Sequence, residues 1–249
     1  MVDVWKSHPS IWHIFHSFFL SKPTPFEPLP VTIAALVFSL KNQVEHILVT
    51  QPPWAIPAAL QDNINTYALA VLLSPKLSAY KGSSPNQIVV GIIKRFKLHI
   101  PDNFERDERA MNTLDAEVGE ALTQKRSHIK KMVKVGITKG SPIYDLALTV
   151  VEGSRCKVTI GLCSRLALFR KVYNEEPQYH GSNYWDGVDA RLGVIRKTAG
   201  GDQQKITRAF TYILEADQEK YGTSTATFAI DGADWQQSVD EEIEHVSSP

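Results

Sequence analysis

Cysteine is scarce in this chain, with only Cys156 and Cys163 among 249 residues. They lie seven residues apart inside one predicted helix, about 10 Å along its axis, which is too far for a disulfide. That spacing excludes a disulfide-stapled scaffold and reads as two buried or half-buried thiols in a reducing compartment. Neither cysteine has zinc-ligand spacing or a histidine close in sequence, and His13 and His16 have no third ligand near them. The sequence therefore predicts no metal site.

Long apolar runs are missing as well. Val31–Leu40 stops at Lys41, well short of the roughly 20 residues a spanning helix needs. Ile11–Leu20 is broken by His13 and His16, its leader holds as many acids as bases, and no small-residue cleavage site follows. The expectation is neither a secretory signal nor a membrane span, hence an intracellular protein, nuclear or cytoplasmic, with no membrane partner.

Catalytic signatures are absent too. The chain has no G-x-S-x-G, H-E-x-x-H or G-x-G-x-x-G, and around Lys139-Gly140-Ser141 the lysine precedes the glycine, so no phosphate loop is formed. No cofactor is predicted. An enzyme would need a site assembled from residues distant in sequence.

Net charge is also zero, with 27 basic and 27 acidic residues, but the zero conceals a segregation. Thr123–Lys171 contains eleven basic residues and only two acids, Asp145 and Glu152. That excess of nine positive charges is matched by nine surplus acids elsewhere. Asymmetry of this kind points to a polyanionic partner, or to an acidic surface on another protein or on this one.

Periodicity and punctuation predict an all-α fold. Residues 1–83 are cut by prolines into short pieces that leave room for two helices, about 31–49 and 57–73. Residues 84–222 predict a bundle of five to six helices. Ser84-Pro85 opens the first; the β-branched run Ile88–Phe96 leaves helix against strand open, with helix favoured. A long helix spans about Phe104–Val135 and ends at Gly136. Ile143–Val151, Val158–Tyr173, Tyr184–Lys197 behind Asn183, and a last helix behind Asp202 follow, the last closed by Gly222. Residues 223–249 hold six acids without lysine or arginine and read as a disordered acidic tail.

On the long helix Arg126, Lys130 and Lys134 recur at four-residue intervals, with Lys125 and Lys131 beside them. Like charges so placed repel by roughly 0.2–0.5 kcal/mol per pair, so the array tolerates an anion well. The helix also begins acidic and ends basic, which its dipole favours with no ligand at all. A solvated face, a nucleic acid and an acidic protein or tail therefore all fit. Ile143–Val151, the turn at Gly153 and Val158–Tyr173 have the outline of a helix-turn-helix, whose second helix would carry Lys157, Arg165, Arg170 and Lys171 towards DNA. KRSHIKK (125–131) loosely resembles a nuclear import signal. Tyr184-Trp185 could stack a base, but Trp185 shares a stripe with Val188 and Leu192 and reads as core.

The segments LTQKRSHIKK, IYDLALTVV, VTIGLCSRLALFRKVY, NYWDGVDARLGVIR and FTYILEADQEKYG, within about residues 104–222, resemble uncharacterised helical proteins of mushroom-forming fungi. That resemblance implies no activity, cofactor or site residue. The leading expectation is a non-enzymatic binding module with nucleic acid as favoured partner. Its contacts would be Lys125, Arg126, Lys130, Lys131, Lys134, Lys157, Arg165, Arg170 and Lys171. The alternative is an interaction scaffold whose basic face meets acidic proteins.

Overall fold

Proline and glycine set most of the boundaries seen in the structure. A computed structural model of the protein describes residues 29–50, 54–102, 104–224 and 232–247. The chain divides into two compact units, residues 1–52 and 53–249. The first contains one described helix, α1 (Leu29–Thr50).

The second unit is a bundle of eight helices among the described residues, and no strand is present among them. Helix α2 (Ala58–Leu73) starts behind Pro57 and buries everything from Ala68 to Leu73. Ser74 is held extended by the proline that follows it, and the helix stops there. Helix α3 (Ser84–Arg95) takes Pro85 in its first turn and buries Ile88, Val89, Ile92 and Ile93 on one side. That helical stripe decides the ambiguity of this β-branched run, since a strand would have turned Ile88 and Val89 to opposite faces.

Helix α4 (Glu108–Lys139) has 32 residues and is about 48 Å long. The Asp107 carboxylate caps it by accepting from the Arg109 and Ala110 N–H groups. It runs through Gly136 and ends at Gly140, whose φ of +64° only glycine adopts cheaply. Gly136 serves close packing instead: a Cβ there would lie 3.0 Å from a Leu146 methyl and 3.3 Å from an Arg170 nitrogen. Helices α5 (Ile143–Val151), α6 (Ile160–Glu175), α7 (Tyr184–Ala199) and α8 (Gln203–Tyr221) follow, with a short 3-10 turn, Pro177–Tyr179, before α7. Thr159 and Asp202 cap α6 and α8 through their side chains, and Gly200 and Gly222 close α7 and α8.

Helix α6 is the axis of the bundle. Every residue from Leu162 to Arg170 is buried, with α4, α5, α7 and α8 packed around it. Tyr80, Phe169, Tyr184 and Trp185 form an aromatic cluster at its side, with neighbouring ring centroids 5.1–5.2 Å apart. Trp185 is core, as its stripe with Val188 and Leu192 predicts. Cys156 falls in the segment before α6, not in the same helix as Cys163; both are free and buried.

Two expectations are corrected. The bundle has more than five to six helices, because α2 belongs to it and a further helix, α9 (Asp234–Ser247), lies in the supposed tail. Trp235, Val239 and Ile243 recur every four residues among the acids and face α2 and α3, and Val239 and Ile243 are buried. Tyr67 meets Trp235 edge-on at 5.7 Å, and Arg95 pairs with Glu242 at 2.8 Å. Charge-rich composition concealed a narrow apolar stripe. Asp231, also read as tail, lies outside the described residues.

Helix α7 offers a paired test of packing against propensity. A Cβ on Gly187 would sit 2.5 Å from the Tyr179 ring, whereas one on Gly193 meets nothing within 4 Å. Gly193→Ala should therefore stabilise by about 0.5–1 kcal/mol through helix propensity. Gly187→Ala should destabilise by about 1–3 kcal/mol through overpacking. Urea midpoints of the two variants, shifted in opposite directions from wild type, check both.

Candidate anion-binding face of the long helix

The eleven basic residues separate into two populations once the chain folds. Arg165 and Arg170 are 1% and 0% exposed. Arg165 donates from Nη2 to the Pro75 and Leu77 carbonyls and stacks 4.6 Å from the Phe210 ring. Arg170 donates to Asp217 at 3.0 Å and to the Ser141 carbonyl at 3.0 Å, and lies 4.2 Å over the Tyr221 ring. Both guanidiniums are enclosed by protein, so a phosphate cannot reach them without opening the core.

The same burial removes the helix-turn-helix. Its second helix would be α6, and a helix packed on all sides cannot enter a DNA groove. Lys171 pairs with Glu175 at 2.5 Å. Lys157 is exposed but belongs to the α5–α6 connection, where its backbone bonds the Gln236 side chain of α9. Neither joins the basic residues of α4.

Five expected residues lie on the C-terminal half of α4: Arg126, Lys130, Lys134 and Lys131 follow one another around one side of the helix, and Lys125 lies across the buried stripe of Leu122, Ile129 and Val133 from them. Lys131 and Lys134 are exposed, and Lys125, Arg126 and Lys130 are half-buried. Among the described residues no carboxylate pairs with any of the five. The acids of α9 do not cover them: Glu242 and Glu244 pair with Arg95 and Lys76, and the Asp240 carboxylate accepts from the Ser74 hydroxyl. The contact between basic face and acidic tail is thus not made by α9.

Arg126 and Lys130 line a recess of about 310 Å³ together with Lys81, Thr123, Ser127, Gly181, Ser182, Tyr184 and Trp185. The Arg126 guanidinium donates to the Tyr80 carbonyl at 2.6 Å and to the Thr123 hydroxyl at 3.3 Å. Lys130 donates to the Gly181 carbonyl at 2.6 Å and lies 5.3 Å from the centre of the Tyr184 ring. Lys81 pairs with Asp186 at 2.8 Å. Burial pulls the Arg126 pKa down, with Asp189 acting in the opposite direction. Burial, and then the neighbouring Lys134 charge, lower Lys130. Both cations are held in place by carbonyl dipoles; no described carboxylate forms an ion pair with either, although the Asp189 charge acts on Arg126.

Lys81 and the Gly181-Ser182 turn carried no signal in the sequence, because they reach the recess from segments 45 or more residues away from Arg126. Arg126 and Lys130 were legible through their four-residue spacing. No protein-family model matches the chain, and neither a curated protein nor a solved structure matches it.

A second cavity, of about 400 Å³, lies between the end of α2, the start of α6 and α9. Ser74, Cys156, Thr159 and Asp240 line it, with no histidine or lysine in its wall. Burial pushes the Cys156 thiol up, away from the reactive thiolate form. Ser74 is occupied in ending α2, donating to Asp240 and accepting from the Lys76 N–H at 3.0 Å. No three metal-ligating side chains cluster among the described residues, and none of their helices is long and apolar enough to cross a membrane.

The buried Arg170–Asp217 pair makes stability depend on pH in a definite sense. Burial raises the Asp217 carboxyl from its ordinary 3.8 to about 6, against the pull of Arg170. Between these values the native state holds a proton that the unfolded chain has lost, so this group's contribution falls as pH rises from about 4 to about 6. Asp217→Asn cannot titrate. The stability of wild type minus that of Asp217→Asn, from urea unfolding at each pH, should decrease across that window. An increase would contradict it.

Proposed function

We propose that this protein is a non-enzymatic helical binding module that holds a nucleic acid against the C-terminal half of α4. Arg126, Lys130, Lys131 and Lys134 are the phosphate contacts. The observation that supports this reading is the set of cations on α4 that, among the described residues, pair with no carboxylate although the chain holds as many acids as bases. Neutral proteins ordinarily interleave opposite charges on their surfaces, because like charges three or four residues apart on a helix repel. An uncompensated row on one helix is most simply completed by an external polyanion. Releasing condensed counterions from that polyanion drives binding.

Contacts of this type give affinity and register with little base discrimination, since lysine reads the phosphate as a point charge. Arg126 is already committed to the Tyr80 carbonyl, so its contribution is to hold one wall of the face while presenting its remaining N–H groups. The exposed Lys131 and Lys134 supply the long-range attraction, and Lys130 extends the row.

Anisotropy titrations of the full chain with a fluorescent duplex DNA and a single-stranded RNA, across a salt series, test the reading. Four phosphate contacts predict a slope of log K against log[salt] of about −3 to −4 on duplex DNA. Lys130→Gln/Lys131→Gln/Lys134→Gln should lower the slope to about −1 and weaken binding alike across sequences. Absence of binding at low salt would overturn the proposal and direct the search to acidic protein surfaces.

A further inference from the structure

The recess on α4 differs in kind from the exposed row beside it. Its walls come from three separate stretches of chain: α4, the connection bearing Lys81, and the Gly181-Ser182 turn. Its volume of about 310 Å³ lies at the lower end of the range for small-molecule sites, roughly 300–1,000 Å³. Arg126 and Lys130 are fixed in place by the 2.6 Å bonds to the Tyr80 and Gly181 carbonyls. Each keeps N–H groups beyond those bonds. The Ser127 and Ser182 hydroxyls also line the recess and make no hydrogen bond to other described residues, so they too are free to donate.

We propose that this recess is a phosphate monoester site, and, on the reading that α4 holds a nucleic acid, that it takes the phosphorylated end of a strand. A phosphate monoester carries about −1.5 to −2 charges at neutral pH, against one for a phosphate inside a strand. It therefore gains more from two pre-positioned cations and two hydroxyl donors. Geometry favours an end as well. A terminal phosphate has one substituent and enters a concavity walled by three segments, whereas an internal phosphate needs an exit for chain on both sides. The exposed Lys131 and Lys134 would meet internal phosphates of the same strand.

The pocket's electrostatics agree with this assignment. Lys81 is balanced by Asp186, and Asp189 is engaged by the Tyr80 and Lys81 N–H groups at 2.7 and 3.0 Å. Asp189 keeps its charge and acts on Arg126, so Lys130 and part of the Arg126 charge are left for an incoming anion to neutralise. The N-terminal end of α7 adjoins the recess through Tyr184 and Trp185, and its dipole adds to the same field. Tyr184 and Trp185 are buried, so they form a wall and no base stacks between them.

The test compares oligonucleotides of one sequence carrying a 5′-phosphate, a 3′-phosphate or hydroxyls at both ends, bound to the full-length protein. A phosphorylated end should bind about tenfold more tightly, the size of one added charge-assisted contact. Lys130→Gln, which keeps a donor for the Gly181 carbonyl, should weaken all three strands as the loss of a phosphate contact requires and should also abolish the preference for a phosphorylated end; its thermal melt confirms folding. Lys131→Gln/Lys134→Gln should weaken all three strands alike and keep the preference. Equal affinity for all ends in wild type would overturn the inference and leave the nucleic-acid reading standing. If no strand binds, that reading fails, and calorimetry with a nucleoside 5′-monophosphate against the nucleoside decides the recess alone. Selective binding of the monophosphate supports a monoester site for a small ligand, and no binding of either overturns it.

Discussion

Three guanidinium groups converge on the carbonyl oxygens of one short connection, Pro75–Tyr80, and most of the molecule is arranged around that contact. Arg165 of α6 donates to Pro75 and Leu77, Arg196 of α7 to Leu77 and Ser78, and Arg126 of α4 to Tyr80. In the opposite sense the Tyr80 and Lys81 N–H groups donate to Asp189 of α7. The connection leaves the C-terminal end of α2, where the helix dipole favours a cation. Burying a guanidinium costs several kcal/mol, and only a set of well-placed acceptors offsets it. The carbonyls of a non-helical segment provide that set, because they have no partners in a helical ladder.

This contact ties α2 and α3 to α4, α6 and α7 at one point, and Tyr80 continues it into the core. The Tyr80 ring stacks on Trp185 and meets Phe169 edge-on, each at 5.1 Å between centroids. Burial pushes its phenol up to about 12, so it stays neutral beside Arg165. The aromatic cluster and the arginine-bonded connection are therefore one construction, apolar on one side and polar on the other. The recess on α4 is a consequence of it. Arg126 stands in the wall because Tyr80 holds it there, and Lys81 arrives as the next residue along the same connection.

The basic segment of the sequence thus contains two physically different populations. Arginines at 165 and 170 balance internal carbonyls and Asp217, and their planar, delocalised charge tolerates burial against aromatic rings. Lysines at 125, 130, 131 and 134 stay at or near the surface, as a compact and strongly hydrated ammonium requires. Charge counting along the chain cannot tell these apart, because both have the same sign. Residue type did not make the division either, since Arg155 of the same segment is exposed and Arg126 is half-buried in the recess wall.

The sequence by itself determined where most of the helices lie. Pro57, Pro85, Asp107, Gly140, Thr159, Gly200, Asp202 and Gly222 act through local sterics and capping bonds, which need no distant partner. It also made Arg126, Lys130 and Lys134 legible as a row, since helical spacing is a local property. Tertiary structure decided that Gly136 packs a crossing and does not end a helix, that α6 lies inside on all its faces, and that the acidic tail contains α9. Each of these depends on what another segment places alongside. The recess belongs to the same class: Lys81 and Ser182 meet Arg126 only after the chain has folded, and no short-range rule encodes a meeting across 45 residues or more.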